Sequence, residues 1–287
     1  MALGAELEIE LTYPRESAPY NLTVFSIATG KYLEYWVDLC RSAGIERMND
    51  PSIQWVIASD LIAKIPEELV AVFGNRLTTI PIPAYGWPQA TLLRYQIIYE
   101  NASLILGQTL MYLDADMIFK NDHWVETIEN KMKAKSNIHL VQHPGYYRPS
   151  LGHKFYFYLR NLKFILKDLR DFLYVGGLGS WERNPDSLAF VPRGARKDYV
   201  CGGCWFGSRN EILEMCEMLC DRVNRDLQKN MIAKFHDESH LNWFATHFPF
   251  ELESSEFCFD PNYPQLKQIQ PLIEAVDKNI DSPWLRL

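Results

Sequence analysis

The sequence predicts an α/β protein built around a mainly parallel sheet. Apolar, β-branched stretches alternate with stretches of helical periodicity as far as residue 120, which is the pattern of strands joined by crossover helices. The stretch Leu110–Leu113 is apolar at every residue, as expected of a central strand that is buried on both faces. Hydrophobic residues make up 47% of the 287 residues, enough for a large core. We therefore expect one domain over residues 21–287, after an extension at residues 1–20.

The predicted elements of the first half alternate in type, and turn residues separate most of them. In order they are a strand at 22–27, a helix at 31–43, strands at 54–58 and 77–82, a helix at 89–100 and a strand at 110–113. The second half is less regular. There we predict a short strand at 188–191, a strand-like run at 199–207, a helix at 211–225 and a helix that begins at His236 with Asp237 as its cap.

The tripeptide Asp114-Ala115-Asp116 stands directly after the most apolar predicted strand. Ligands of parallel α/β sheets bind at the carboxyl ends of the strands, so these two carboxylates are the first candidates for chemistry. Paired carboxylates can hold a hard divalent cation that bridges the phosphate oxygens of a substrate. The alternative is a solvated acidic turn, but the position at the end of a buried strand favours the functional interpretation.

Two further motifs invite both a functional and a structural explanation. Gly202-Gly203 interrupts an apolar, strand-like run, which indicates either close approach of a ligand or backbone, or a bulge. His236-Asp-Glu-Ser-His240 places two acids and two imidazoles in one helical turn. Glu238 in this motif could be a catalytic carboxylate, or an exposed acid that is stabilised by the helix dipole.

The charge balance argues against a nucleic-acid-binding protein. The chain has 29 Lys and Arg against 36 Asp and Glu, a net charge of −7, whereas binding to phosphate backbones requires a basic excess. No apolar run approaches the ~20 residues of a membrane span, and the first residues lack a secretory leader. We expect a cytoplasmic or peripheral membrane protein, or one of the Golgi lumen if the chain is the trimmed part of a longer protein.

Taken together, the motifs resemble those of glycosyltransferase family 6 from about Leu22 to about Asn279. The matching residues are Thr23-Val-Phe-Ser-Ile27, Tyr32, Ala84-Tyr-Gly-Trp-Pro-Gln89 with Arg94, Leu113-Asp-Ala-Asp-Met117, His143-Pro-Gly-Tyr-Tyr147, Trp181-Glu-Arg-Asn-Pro185, Gly202-Gly203 and His236-Asp-Glu-Ser-His-Leu-Asn242. The last motif is the most specific. The resemblance implies the GT-A fold, with residues 21–120 mainly binding the donor and residues 121–287 mainly binding the acceptor.

The resemblance also implies an activity. It is the Mn²⁺-dependent, retaining transfer of N-acetylgalactosamine or galactose from a UDP-sugar to the 3-hydroxyl of a terminal galactoside, which is an oligosaccharide or a glycolipid. Both acids of the Asp114-Ala-Asp116 motif are present, where many bacterial members of the family carry Asn-Ala-Asn, so we expect metal dependence. Glu238 matches the residue that acts as nucleophile or stabilises an oxocarbenium-like state.

Site residues are carried over position by position from the family motifs. The implied metal ligands are Asp114 and Asp116. The implied donor-binding residues are Phe25, Ile27, Tyr32, Arg94, Asp114, Ala115, Asp116, Cys201, Gly202, Gly203, His236, Asp237 and Lys278. The implied acceptor-binding residues are His143, Ser180, Phe235, Glu238 and Asp260. Phe235 stands where the blood-group enzymes of the family have Trp, and Ser180 where they have Thr. Cys201 and Gly203 fall on the positions that separate the two donors, and because both are small they favour N-acetylgalactosamine.

Residues 153–174 depart from the mammalian pattern of the family as an apparent helical insertion. The apolar residues keep helical spacing, and five Lys and Arg residues stand against two Asp residues. Such a helix could lie on an anionic membrane and bring the enzyme to a lipid-linked acceptor. It could also pack its apolar face on the domain with its charges in solvent, which is the commoner arrangement of amphipathic helices.

Two other functions fit parts of the pattern. An apolar strand that ends in Asp-x-Asp also occurs in haloacid-dehalogenase-type phosphatases, but there it lies near the N-terminus, whereas about a hundred residues precede Asp114. A non-catalytic galactoside-binding protein on the same fold is the other alternative. The joint presence of Arg94, Asp114, Asp116 and Glu238 speaks against it, since a lectin has no use for a diphosphate site.

Overall fold

The computed structural model describes residues 19–133, 137–148, 158–159, 162–171, 173 and 176–277. Its strands are β1 (Tyr20–Ile27), β2 (Ile53–Ser59), β3 (Leu77–Pro81), β4 (Gly107–Leu113), β5 (Met117–Phe119), β6 (Ile138–Gln142), β7 (Val200–Ser208), β8 (Glu251–Glu253) and β9 (Ile273–Ala275). Its α-helices are α1 (Tyr32–Ser42), α2 (Ile45–Met48), α3 (Glu67–Phe73), α4 (Gln89–Leu92), α5 (Arg94–Glu100), α6 (Trp124–Lys131), α7 (Leu162–Arg170), α8 (Arg209–Gln228) and α9 (His236–His247).

Seven strands form one mixed sheet in the order β3-β2-β1-β4-β7-β6-β8. The pairs from β3 to β4 are parallel, β7 runs antiparallel to both of its neighbours, and β6 pairs in parallel with β8. Strands β5 and β9 form a separate antiparallel pair. The predicted α/β class with a mainly parallel sheet is therefore confirmed.

The core lies on both faces of the sheet. Along β2, Trp55 and Ile57 join one hydrophobic cluster while Val56 and Ala58 join the other. Successive residues of a strand point to opposite faces, so a strand that is covered on both sides must be apolar at every position. This explains why the central strands are readable in the sequence as unbroken apolar runs.

Two predicted elements differ in the structure. The predicted helix at 89–100 is two helices, because Leu93 has φ −91° and ψ 5° and breaks the helical path between α4 and α5. The predicted strand at 188–191 is a loop. The backbone of Leu188 is bound by side chains of α8 instead of by a neighbouring strand, since its amide donates to Asp226 at 2.9 Å and Arg222 donates to its carbonyl. Ser187 accepts from the amides of Ala189 and Phe190.

Helix α9 is fixed on β7 by a side-chain clamp. Asn242 accepts a hydrogen bond from the Val200 amide and donates to the Val200 carbonyl, both at 2.8 Å. These bonds satisfy backbone groups at the start of β7, and they set the first turn of α9 beside Gly202 and Gly203. Among the residues that the structure describes, none of the helices combines the length and the apolar character needed to span a bilayer.

Of the helical insertion predicted at 153–174, Leu162–Arg170 forms a helix, while residues 153–157, 160–161, 172 and 174 lie outside the described residues. The expected orientation of this helix is wrong. We expected its apolar face to pack on the domain. Instead Asp168 turns inwards to pair with Arg148, while Leu162 and Leu166 are exposed. The domain therefore holds this helix partly through charged pairs.

Candidate active site

A cavity of about 860 Å³ opens at the carboxyl ends of β1 and β4. Its volume lies in the range of small-molecule sites, and its position is the one expected for a ligand of a parallel sheet. The predicted donor residues Ile27, Tyr32, Arg94, Asp114, Ala115 and Asp116 all line it. Further lining residues are Thr29, Gly30, Lys31, Asp60, Ala84, Tyr85, Gly86, Trp87, Ala90, Thr91 and Tyr112.

Arg94 is the buried cation at the base of this cavity. Its Nε lies 3.0 Å from Asp237 Oδ2 and one Nη lies 3.3 Å from Asp114 Oδ1. The other Nη donates to the Gly202 carbonyl, and the guanidinium carbon lies 4.8 Å from the centre of the Tyr112 ring. A guanidinium suits this position because its fork of donors can meet two carboxylates and a carbonyl at once.

Asp237 does not cap α9, contrary to the prediction. It lies in the first turn, is 4% exposed, and its carboxylate faces Arg94. Phe235 occupies the N-cap position, and its amide donates to the Ser239 hydroxyl at 2.9 Å. A cap satisfies only local backbone amides, whereas this carboxylate holds the first turn of the helix to the guanidinium.

The two glycines of β7 admit the acidic side chains. A Cβ at Gly202 would meet Asp237 Oδ2 at 3.1 Å, and one at Gly203 would meet Asp114 Oδ2 at 2.9 Å. The strand therefore carries glycine because carboxylates pack against its backbone. The pairing of β6 with β7 is also irregular here, with Leu140 opposite Trp205 and Gln142 opposite Val200, as the bulge alternative for Gly202-Gly203 predicts. The contact with Asp114 gives Gly203 a reason to be small that is independent of the donor sugar.

Asp114 and Asp116 fit a divalent cation that arrives with a phosphorylated substrate. Both line the cavity, and Asp114 accepts a hydrogen bond from the Tyr112 hydroxyl at 2.8 Å. Within the described part of the chain, no three His, Cys, Asp or Glu side chains are grouped to form a metal site. Two carboxylates completed by phosphate oxygens and water are an ordinary arrangement for Mg²⁺-like ions. Two carboxylates, those of Asp114 and Asp237, pair with the single guanidinium of Arg94, and this acidic excess favours cation binding.

Glu238 is held by two hydrogen bonds. The Tyr199 hydroxyl donates to Oε1 at 2.9 Å, and the Gly202 amide donates to Oε2 at 3.0 Å. Burial raises the pKa of Glu238 to about 7, although these two donors and Arg94 act in the opposite direction. A carboxylate whose pKa lies near neutrality is typical of a catalytic group and unusual for an exposed helix acid.

An aromatic wall continues from Glu238 towards the predicted acceptor residues. The Tyr199 ring lies 5.7 Å from His143 and 5.1 Å from Tyr146, and the Tyr146 hydroxyl is hydrogen-bonded to Ser180. Burial lowers the pKa of His143 to about 4, so the ring is neutral. Its Nδ1 accepts from the Gly145 amide at 3.0 Å, which leaves the proton on Nε2 as a donor.

The remaining predicted site residues lie in different surroundings. His236 packs edge-on against Trp87, with ring centres 4.8 Å apart, so it borders the cavity. Phe235 is 41% exposed beside it. Asp260 acts electrostatically on His143 and raises its pKa against the effect of burial.

Gly202, Gly203, His236 and Asp237 of the predicted donor set do not line the cavity themselves but contact residues that do. The side chain of Phe25 is fully buried in the core and does not line the cavity, so it is not available to a nucleotide in this conformation. Cys201 is buried in the other core cluster. Lys278 lies outside the described residues.

Several residues of the site escape sequence reasoning. Tyr112 and Tyr199 end or begin apolar strands, where aromatic residues are ordinary core material, and only the contacts of their hydroxyls reveal their positions. Tyr146 and Trp87 do lie in motifs that resemble the family, and Asn242 closes the most specific of them. That a motif includes these residues was the available signal, although it does not say what each side chain touches.

Comparison with known proteins identifies the family of the chain. The model of Glycosyltransferase family 6 matches residues 9–180 and 178–286. Histo-blood group ABO system transferases 1 and 2 of Rattus norvegicus are each 24% identical to this chain, over 85% and 84% of it. The chain spans only 62% and 63% of the length of these two relatives.

A bacterial relative is matched over almost its whole length. The O-antigen biosynthesis glycosyltransferase WbnI of Escherichia coli is 20% identical over 90% of this chain and 95% of its own. The mixed α/β structure with its mainly parallel sheet is consistent with a GT-A-like fold. Because the family model covers most of the sequence, the chain belongs to glycosyltransferase family 6.

Proposed function

We propose that the protein transfers N-acetylgalactosamine, or else galactose, from a UDP-sugar to the 3-hydroxyl of a terminal galactoside with retention of the anomeric configuration. The observation that carries the proposal is the acidic cluster around Arg94. Asp114 and Asp237 pair with Arg94, and Glu238 is held on the Gly202 amide next to it, between a cavity of nucleotide size and an aromatic wall. A site that only bound a sugar would have no need for buried carboxylates beside a guanidinium.

The donor would occupy the cavity at the ends of β1 and β4. Ile27 and Tyr32 line its β1 side and are proposed to hold uracil and ribose. Asp114 and Asp116 would hold Mn²⁺, which supplies positive charge to the diphosphate of the donor. Lys278 is proposed to reach the same diphosphate from the C-terminal tail.

Glu238 is proposed to act at the anomeric carbon. When the bond between that carbon and the phosphate oxygen breaks, the electron pair leaves with UDP and positive charge develops on the sugar. The Glu238 carboxylate can then form a glycosyl-enzyme ester, or it can stabilise the oxocarbenium-like state while the acceptor attacks from the face of the leaving group. In the first route the acceptor 3-hydroxyl then attacks the anomeric carbon, the ester bond breaks and its electron pair returns to Glu238; in the second route the acceptor takes the place of UDP directly. In both routes the hydroxyl proton is released to the UDP diphosphate or to solvent.

The acceptor galactoside would lie along the aromatic wall. His143 presents an Nε2–H donor, and Ser180, coupled to Tyr146, presents a second polar contact. Phe235 and Asp260 are proposed to complete this surface. Tyr199 joins the two halves, since its ring forms part of the wall while its hydroxyl holds Glu238.

We base the preference between the two donors on the family positions Cys201 and Gly203; in this conformation Cys201 is buried in the core, and Gly203 lies against Asp114. Both side chains are small, which favours the bulkier acetamido sugar. Because Gly203 is also packed against Asp114, a Gly203→Ala variant would disturb that carboxylate as well as the sugar pocket. The donor is therefore best identified by using both UDP-sugars with the wild-type protein.

The test is UDP release from UDP-N-acetylgalactosamine and from UDP-galactose, with lactose or 2′-fucosyllactose as acceptor, with Mn²⁺ or with EDTA. We expect acceptor-stimulated release that requires the metal and is lost in Glu238→Gln. Sugar binding without release would favour a galactoside-binding protein. Hydrolysis of simple phosphate esters that requires Asp114 would favour the phosphatase.

A further inference from the structure

The surface of α7 that points away from the domain is apolar. Leu162 is 65% exposed and Leu166 is 72% exposed. Leu159 and Leu173 extend this surface and are 57% and 55% exposed. Ile165 and Leu169, 43% and 52% exposed, lie at its edge, where they also line a groove beside Tyr146 and Asp168. Single exposed leucines are ordinary in soluble proteins, but six large aliphatic residues at helical spacing form a continuous patch of the kind that marks an interaction site. We call these six residues the α7 patch.

The opposite side of α7 is anchored to the acceptor half of the site. Asp168 accepts from Arg148 Nε at 2.6 Å and from the Tyr158 hydroxyl at 2.6 Å. Lys167 lies over the Tyr146 ring, 5.3 Å from its centre. The helix is therefore held in register by charged and aromatic contacts, so the exposure of its leucines is a property of the docked helix.

Basic side chains lie at the Leu173 end of the α7 patch. Arg170 is 64% exposed and pairs with Asp171 at 2.8 Å, and Arg193, also exposed, donates to the Leu173 carbonyl. Arg183 and Lys234 are exposed too, and their backbone amides both donate to the Glu182 carboxylate. They stand on a chain whose net charge is −7. The positive charge is therefore local and would orient this face towards a negative surface.

We propose that the α7 patch and its basic rim bind the surface of an anionic phospholipid bilayer. Leucines that enter the acyl boundary beside cations that meet lipid phosphates are the two components of interfacial binding. A second copy of the chain is a poorer occupant, because a twofold contact through this patch would place two basic rims against each other. Because the rim is basic, a negatively charged lipid surface fits it better than a second copy of the chain does.

The position of the patch also indicates the acceptor of the transfer, and this inference rests on the proposed function. Lys167 of α7 contacts Tyr146, which is hydrogen-bonded to Ser180 in the proposed acceptor wall. A bilayer against α7 would therefore lie next to the acceptor end of the site. The favoured acceptor is a galactoside carried by a lipid in that bilayer.

The test is co-sedimentation with phosphatidylcholine vesicles, with and without a third of phosphatidylglycerol, in the absence of donor and acceptor. We expect binding to the anionic vesicles that falls roughly tenfold or more in Leu162→Glu with Leu166→Glu, and that decreases as salt is raised. The matched control is Ile45→Glu with Val70→Glu, which alters aliphatic residues 60% and 47% exposed in α2 and α3 and should bind as the wild type does.

Failure to bind anionic vesicles, or equal binding by the Leu162→Glu, Leu166→Glu variant, would overturn the proposal. So would analytical ultracentrifugation that shows a dimer which this variant disperses. Transfer to soluble lactose should be unchanged in the variant, while transfer to a galactolipid in vesicles should fall. Because vesicle binding is measured without turnover, a protein that binds vesicles but transfers no sugar would refute the proposed function and leave the lipid surface standing.

Discussion

Replacing Glu238 with glutamine is expected to stabilise the fold while it abolishes transfer. The ordinary pKa of this carboxyl is 4.5, and burial raises it to about 7 in the folded protein. Above pH 7 the carboxylate is charged in both states, but in the folded protein the charge is buried and in the unfolded chain it is in water. The difference in pKa corresponds to a destabilisation of the folded state by about 3 kcal/mol. Glutamine fills the same space without the charge, so it removes this cost.

The gain is smaller than the full electrostatic cost. In Glu238→Gln the new side chain can keep its carbonyl on the Gly202 amide, but its amide group must then donate to the Tyr199 hydroxyl in place of accepting from it. We expect a net stabilisation of about 2 kcal/mol at pH 8. For a domain of this size that corresponds to a rise in melting temperature of about 4–8 °C.

The pH dependence identifies the cause. The burial cost is absent below the unfolded pKa, where both states are protonated, and it grows as pH rises towards the folded pKa. The melting-temperature advantage of Glu238→Gln should therefore be small near pH 5 and complete near pH 8, as measured by differential scanning calorimetry of the protein without donor. A difference in melting temperature that does not change with pH, or a variant that melts at a lower temperature than the wild type at pH 8, would show that the buried charge of Glu238 does not destabilise the fold.

Glu182 offers a matched control for this substitution. It is also buried, at 8% exposure, but it accepts backbone hydrogen bonds from Arg183, Asn184 and Lys234 at 2.6–2.7 Å. In Glu182→Gln an amide group would face one of these donors, and a buried group without an acceptor is destabilising by about 1–3 kcal/mol. The control variant should therefore melt at a lower temperature than the wild type.

Four further outcomes follow from the same contacts. The kcat/KM for the donor should rise with pH with an apparent pKa of about 7, since Glu238 must be ionised; a flat profile between pH 5.5 and 8 would contradict this role. Tyr199→Phe should lower kcat roughly tenfold to hundredfold and move the acidic limb of that profile to higher pH, because a donor to the carboxylate is lost; an unmoved limb would argue against the contact. Asp114→Asn should lower Mn²⁺-stimulated UDP release by about two orders of magnitude, while Asn121→Asp, which changes charge outside the site, should have little effect. Arg94→Met should lower the free energy of unfolding by about 3–5 kcal/mol in urea titrations, because the buried carboxylate of Asp237 and the partly exposed carboxylate of Asp114 lose their cation; a variant as stable as the wild type would contradict the ion pairs.

The parallel half of the sheet could be predicted because the pattern that identifies each strand lies within the sequence of that strand. Strands covered on both faces must be apolar throughout, so β1, β2 and β4 are visible in the sequence. The position of Asp114 and Asp116 after β4 then follows from chain geometry. What could not be predicted is the partner of each charge. Arg94 meets Asp237 only because β7 and α9 bring the end of the chain back over β4, and nothing near either residue encodes that meeting.

The orientation of α7 shows a second limit. Periodicity reveals that a helix has an apolar side, but it does not say what that side faces. Two contacts set the orientation of α7: Asp168 pairs with Arg148 of the domain, and Lys167 lies over the ring of Tyr146. In the same way, the apolar residues at 188–191 predicted a strand, whereas Asp226 and Arg222 of α8 bind the backbone amide and carbonyl of Leu188.

The central claim is that Glu238 directs a retaining transfer. The most direct measurement is the anomeric configuration and linkage of the product, read by nuclear magnetic resonance, from UDP-N-acetylgalactosamine and UDP-galactose with a galactoside acceptor, in the wild type and in Glu238→Gln. If Glu238 directs a retaining transfer, the wild type gives an α1,3-linked product, and the rate of product formation is lower by roughly two orders of magnitude or more in the variant. A β-linked product, or α-linked product formed undiminished by Glu238→Gln, would contradict it.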